Sequence, residues 1–290
     1  MPLHLPRVLR ADRRESWRRP GVIGGVVSVL LVFYCTIVVF LIVNTAFASL
    51  KHSSELIMNI IGPPRAVTFE NYHRVLVVDG FYKLFFNSLT LVVLGTVASV
   101  FVAALTAYGI ARYSFKGKAF VQTFFLVGLM FPIQLGILPI FIILRTLRLT
   151  NTFAGMILIY IANMSFSVFI MTKFFEKLPA ELYDSAKIDG AGEFRIFLQI
   201  MMPISRPVVA TVALIKAVNI WNDFYMPLVI LTRRSVQTLT LGIYWYVSNF
   251  FVNWHLVFSA VTFSTVPILV LFLLFQQQFV EGLTAGSLKQ

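Results

Sequence analysis

The chain has 290 residues, 58% of them hydrophobic and only 12% charged, with 24 Lys and Arg against 12 Asp and Glu for a formal net charge of +12. A soluble domain carries about 25% charged residues, so this composition excludes a globule that covers its own surface in water and leaves no length for an appended soluble enzyme domain. The basic excess, which on a soluble protein would raise nucleic acid as a partner, is explained by membrane topology instead, and the single cysteine, Cys35, in an apolar run, excludes a disulfide framework and a cysteine metal site.

A membrane span needs about 20 mostly apolar residues to cross roughly 30 Å of hydrocarbon. With the charges as fences, six stretches qualify: residues 22–43, 86–110, 119–144, 153–172, 208–231 and 256–275. The expected fold is therefore all-α and polytopic, with about six transmembrane helices. It divides into a basic N-terminal tail (1–21), a first transmembrane anchor (22–43), an external loop (44–85), a transmembrane core (86–275) and a C-terminal tail (276–290). The run RRESWRRP before the first span invites a signal-peptide reading. The apolar stretch is longer than an h-region and lacks a small-residue cleavage site, so a retained anchor is expected.

Orientation follows from the Lys and Arg of the connections. With the N-terminus inside, the inner segments hold 15 basic residues (six Arg in the tail, Arg112, Lys116, Lys118, five from Lys173 to Arg206, and Lys289) and the outer segments hold 8. Both termini are thus expected in the cytoplasm, with membrane lipid as a further contact of the tail. Pro132 and Pro139, Pro227 and Pro267 fall within the third, fifth and sixth spans and are expected to kink them. The second span carries Gly95, Ser99, Ala103, Ala107 and Ala111 every four positions, either a face for close helix approach or the ordinary abundance of small residues in membrane helices.

Catalytic and metal chemistry is absent from the pattern. His4, His52, His73 and His255 have no metal-ligand spacing, and neither HExxH nor GxSxG occurs. The nearest approach to a phosphate-binding loop is Gly117–Lys118, with Arg112 where the first glycine is required and Ala119 where Ser or Thr is required. The chain is expected to be no enzyme, with no catalytic residue and no metal site.

The longest inner segment, residues 174–207, separates the fourth and fifth spans. Glu181 to Ile188 reads as a helix started by Pro179 and ended by Gly190, with Ala186 and Gly190 on a low-profile face. A second amphipathic stretch with Phe194, Phe197, Leu198 and Met201 follows, and Pro203 is expected to stop it. By periodicity this is either a knob for a partner's groove or a solvated face.

Residues 184–203 resemble the EAA signature of ATP-binding-cassette importer permeases: Asp184, Ser185, Ala186, Gly190, Ile200, Met202 and Pro203 fall on its seven fixed positions. Asp stands for Glu at 184, Ser for Ala at 185 and Met for Leu at 202. Further pieces are similar to the maltose-type carbohydrate branch: TFENYHRVL at 68–76, NSLTL at 87–91, AYGIARYSFKGK at 107–118, LRLTNTFAGMIL at 147–158, WNDFYMPL at 221–228 and FVEGLTAGSLKQ at 279–290. The resemblance implies a permease subunit that forms a sugar path with a second, homologous permease. It also implies an external solute-binding protein and two cytosolic ATPase subunits that carry the ATP and Mg, with no cofactor on this chain. The EAA loop then forms a cytoplasmic coupling helix between helices four and five, with Asp184, Ser185, Ala186, Asp189, Gly190, Ile200 and Pro203 as its residues.

In the fifth span Lys216, Asn219 and Asp223 recur at i, i+3 and i+7 and so are expected to share one helical face. Charges in a span are expensive in lipid, so this face is expected to point into the protein, either as a brace between helices or as the lining of a watery path. The likeness of Trp221, Asn222 and Asp223 to a sugar-permease motif adds weight to the path. A stand-alone ion- or proton-coupled carrier, with Asp223 and Lys216 as coupling groups, is the alternative, and a scaffold without transport is a third reading.

Overall fold

The apolar runs fold as helices, and no strand occurs among the described residues of the computed structural model, which are 22–248 and 252–284. The Arg-rich tail and residues 285–290, with Ser287 and Lys289, lie outside them. By internal contact the chain divides into two units at Thr45 and Ala46. The first unit is most of α1 (Val22–Ser49), a helix apolar all round, the pattern of a lipid-facing span. Its hydroxyls on Ser28, Thr36 and Thr45 donate to their own helix at the carbonyls of Gly24, Val32 and Leu41, at 2.9, 2.8 and 2.8 Å, so these three need no water.

The second unit begins with α2 (Ser53–Met58) and α3 (Glu70–His73), the latter running through a wide π turn over Arg74–Val78 towards the long α4 (Phe81–Arg112). The TFENY run has a structural reason: Asn71 Nδ2 donates to the carbonyls of Ser49 and Lys51, both at 2.9 Å, and the hydroxyls of Tyr72 and Ser49 share a 2.7 Å hydrogen bond. Lys51, an outer charge by sequence, is wholly buried and donates to the Asn59 carbonyl at 2.8 Å. A buried ammonium is tolerated only with such acceptors.

After α4 come α5 (Lys118–Gly128), which packs on α8, α6 (Ile137–Thr146), then α7 (Phe153–Ala162) and α8 (Ser165–Phe175), both packed on α4, and the short α9 (Ala180–Ile188). A helical run follows as α10 (Glu193–Ile196), a π segment Phe197–Met201 and α11 (Met202–Ile204). The chain ends with α12 (Arg206–Trp221), α13 (Tyr225–Ile230), α14 (Leu239–Ser248) and α15 (Trp254–Thr284). Three stretches, Gly24–Ser49, Phe81–Arg112 and Trp254–Phe275, are long and apolar enough to cross a membrane unbroken, and three bent pairs bring the number to as many as six.

The bends correct the sequence reading in detail. Residues 118–146 turn by 95° between Gly128 and Ile133, at Pro132, whereas Pro139 lies inside α6. Residues 153–175 bend by 49° between Ala162 and Ser165 with no proline there. The expected fifth span, 208–231, is not one helix: α12 stops at Trp221 and α13 starts afresh at Tyr225. Pro203 does not stop the preceding stretch, which passes through it into α11 and breaks only at Ser205, by 82°. Pro267 sits within the unbroken α15.

Buried side chains gather along α4 in two layers, one with Phe81, Leu91, Met156, Trp221 and Ile230, the other with Val100, Ala103, Tyr108, Met171 and Phe197. Helices in hydrocarbon gain nothing from escaping water and must instead fit closely. Gly95, Ser99, Ala103 and Ala107 are all buried on α4. A Cβ at Gly95 would stand 2.9 Å from the Tyr160 ring and 3.1 Å from Ile220 Cδ1, so this glycine is a true point of close approach to α7 and α12.

Candidate functional site

Two arrangements hold the residues singled out from the sequence, the loop of residues 174–207 and a polar cleft at the helix breaks. In the loop, Pro179 caps α9 and Gly190 adopts φ +79°, a left-handed conformation that glycine takes without strain. The amide of Gly190 donates to the Lys187 carbonyl and that of Ala191 to the Ala186 carbonyl, both at 3.0 Å, which together make a Schellman cap. Ala186 turns inward and is 5% exposed, which corrects its expected place on an outer face. Asp184, Ser185, Asp189 and Gly190 are exposed, Ile200 is half-buried and Pro203 is exposed. The most exposed apolar group on α9 is Ile188, 87% exposed, a residue the sequence reading passed over as the last turn of a helix.

The loop is tied to the C-terminal end of α4. Arg112 Nη2 meets Asp184 Oδ1 at 2.9 Å, and its guanidinium lies 3.5 Å from the centre of the Tyr183 ring. Glu193 Oε1 accepts from the Tyr183 hydroxyl at 2.6 Å and pairs with Lys187 Nζ at 2.7 Å, while Oε2 accepts from Tyr108 at 3.2 Å. Partial burial alone would raise the Glu193 pKa, but hydrogen bonds from Lys187, Tyr113, Tyr183 and Tyr108 outweigh it and hold the carboxyl at about 2. The same pairing raises Lys187. Both groups therefore stay charged across the physiological range.

The cleft, about 320 Å³, opens where α7 gives way to α8 and α12 to α13, and its polar lining includes Gln134, Asn163, Lys216, Asn219, Asn222 and Asp223. Lys216 Nζ donates to the Asn163 carbonyl at 2.6 Å, where the α7–α8 bend frees that acceptor from its helix. Asp223 lies beyond the end of α12, so the shared face expected from i, i+3 and i+7 spacing is not a helical one. The break itself brings Asp223 back to the same cleft. Its Oδ2 accepts from the Tyr160 hydroxyl at 3.2 Å, its Oδ1 from the Met226 amide at 3.4 Å, and its carbonyl from Thr240 at 3.0 Å. Asn163, Lys216 and Asn219 also line a neighbouring cavity of about 270 Å³, so the polar surface extends along α12. Trp221 is not part of it. It is 3% exposed, stacks edge-on against Phe85, and donates from Nε1 to the Ser264 carbonyl at 3.2 Å. Tyr160, Asn163 and Gln134 were missed from sequence, because their role depends on breaks that no motif marks.

Residues 95–285 match the family described as binding-protein-dependent transport system inner membrane component. The chain belongs to this family. Relatives of the binding-protein-dependent permease include the arabinooligosaccharides transport system permease protein AraQ of Bacillus subtilis, 34% identical over 83% of this chain and 87% of the relative. The diacetylchitobiose uptake system permease protein NgcG of Streptomyces coelicolor is 32% identical over 90% of this chain and 87% of its own length. The galactooligosaccharides transport system permease protein GanQ of Bacillus subtilis is 31% identical over 90% of this chain and 93% of its own. The fold is shared with a chain from the crystal structure of a bacterial ABC transporter involved in import of the acidic polysaccharide alginate, with a TM-score of 0.78, 22% identity, and coverage of 95% of this chain and 100% of that one. The permease is thus a multi-pass, non-enzymatic subunit of an ATP-driven importer, working with a second permease, ATPase subunits and a solute-binding protein. The carrier alternative is not favoured.

Proposed function

We propose that the chain passes an oligosaccharide inward along the cleft beside α12, and that α9 transmits ATPase motion to it. The observation that carries the first part is the cleft: Asn, Gln, Tyr, Lys and Asp side chains converge at breaks in otherwise apolar helices. Amides, a phenol, an ammonium and a carboxylate offer both donors and acceptors, as hydroxyl-rich solutes require. The oligosaccharides in the names of the relatives support the same class. For the second part, exposed Ile188 on a capped helix supplies an apolar contact for a partner's groove, with Asp184, Ser185, Asp189 and Gly190 around it, Ala186 and Ile200 packed in the layer behind it, and exposed Pro203 at the far end of the loop. Rigid-body rocking driven through such a contact is a physically sufficient route to alternating access. No cofactor is needed on this chain in that scheme; ATP and Mg are held by the partners.

Reconstitution of the chain with its second permease, ATPases and binding protein in liposomes tests this. Oligosaccharide uptake is expected only with ATP and the binding protein. Uptake that runs on an ion gradient without the ATPases supports the carrier instead.

The inner-membrane orientation with both termini cytoplasmic rests on the basic-residue bias. In a Cys35→Ser background, Ser54→Cys is expected to react with a membrane-impermeant thiol reagent in intact cells and Ser185→Cys only after lysis. The reverse pattern overturns the orientation.

A further inference from the structure

Glu193 has no part in the signature carried by the loop, yet its carboxylate gathers groups from three elements. Oε1 holds Tyr183 and Lys187 of α9, Oε2 holds Tyr108 of α4, and the residue itself opens α10. Directly behind it the rings of Tyr108 and Phe197 pack at 5.4 Å and those of Tyr108 and Phe175 at 6.2 Å, so the polar knot sits on a closed apolar layer. Arg112 adds a second tie between α4 and α9, through Asp184 and over the Tyr183 ring. Its neighbour Arg195 behaves differently, bonding only Gln199 at 2.9 Å on an exposed surface. A solvated face looks like Arg195; Glu193 is a junction.

We propose that Glu193 is the positioning residue of energy coupling: it locks α9 to the inner end of α4, so that a displacement of α9 by the ATPase moves α4 as one body rather than bending the loop. The proposal rests on the reading of α9 as the ATPase contact. Glu193 itself opens α10 and is not on α9, and this separation from the residues proposed to meet the ATPase makes it testable. A loosened lock lets the ATPase bind and turn over while the span lags behind, so hydrolysis continues and import per ATP falls. Hydrogen bonds to a charged group are among the strong ones, and their direct loss is felt across the joint they hold.

The test uses the full reconstituted importer and reads three quantities: ATPase retained on purification, ATP hydrolysed, and solute imported per ATP. Glu193→Gln keeps the shape and removes the charge. It is expected to retain its ATPase and hydrolyse ATP while import per ATP falls about fivefold, the effect of losing roughly 1 kcal/mol of coupling. Glu193→Asp, which restores the charge, is expected to recover at least about half of the ratio, and Tyr183→Phe, which deletes only one hydroxyl, to lower it in the same direction. A wild-type ratio in both Glu193→Gln and Tyr183→Phe overturns the proposal. So does a proportional loss of hydrolysis and import, which marks a merely structural role, and so does loss of the ATPase from Glu193→Gln, which places the residue in the contact itself. The underlying reading fails separately: a Gly190→Asp variant that keeps both its ATPase and its uptake removes α9 from the contact and this role with it.

Discussion

Gly190→Asp is expected to lower solute uptake by about tenfold or more, with the permease still inserted and abundant, an effect equivalent to about 1.4 kcal/mol at the coupling step. Two costs combine. Gly190 sits at φ +79°, where any side chain pays a left-handed penalty, although Asp pays less than most. The larger cost is electrostatic and external. A Cβ at this position meets nothing within 4 Å inside the chain, so the new carboxylate points to where a partner would sit and must be desolvated there. Gly190→Asn separates the two, because it suits the same backbone without adding a charge, and it is expected to keep more uptake than the aspartate. Ile188→Asp should behave like Gly190→Asp, since it puts a charge on the most exposed apolar side chain of α9. Pull-down of the ATPase beside uptake decides the matter; normal uptake in both charged variants at normal abundance counts against docking.

What could be read from the sequence was whatever depends on one stretch of chain at a time. Apolar runs between charges marked an all-α chain with several helices long and apolar enough to span, because hydrocarbon demands a fixed length of apolar helix whatever the neighbours are. The cap of α9 was legible for the same reason, Pro179 and Gly190 being local backbone devices. The breaks were not. The α7–α8 bend has no proline, and the carbonyl it frees at Asn163 is satisfied by Lys216, 53 positions further on. Pro203 was expected to end a helix, but a π segment just before it absorbs the disruption and the helix runs on to Ile204. Trp221 was grouped with Asn222 and Asp223 by adjacency, yet the end of α12 sends its side chain into the core and theirs to the cleft. Motif membership fixed the neighbourhood of the site; only the turn of the chain decided which side of it each residue faces.

The two charges at that break carry the other large expected effect. Lys216→Met is expected to abolish uptake and to weaken assembly, whereas Asp223→Asn is expected to lower uptake while assembly with the second permease and the ATPases persists. The asymmetry follows from the bonds. Asn at 223 keeps an oxygen to accept from the Tyr160 hydroxyl or the Met226 amide, so the local geometry of the break survives and only charge is lost. Met at 216 keeps the volume but removes the donor to Asn163, leaving a carbonyl at the α7–α8 bend without its partner in the membrane, at a cost of about 1–3 kcal/mol. It also leaves Asp223 as an isolated negative charge in the same cleft, and a buried charge stripped of its counter-charge costs more than the pair together. The double variant Lys216→Met, Asp223→Asn is therefore expected to assemble better than Lys216→Met alone without recovering uptake, because it repairs the charge balance but not the solute-facing donors. Quantitative pull-down beside radiolabelled uptake reads both. If the double variant transports like wild type, the cleft charges serve assembly only and the path must be sought elsewhere; if Asp223→Asn alone fails to assemble, Asp223 is a brace between α7 and the α12–α13 break rather than a wall of the path.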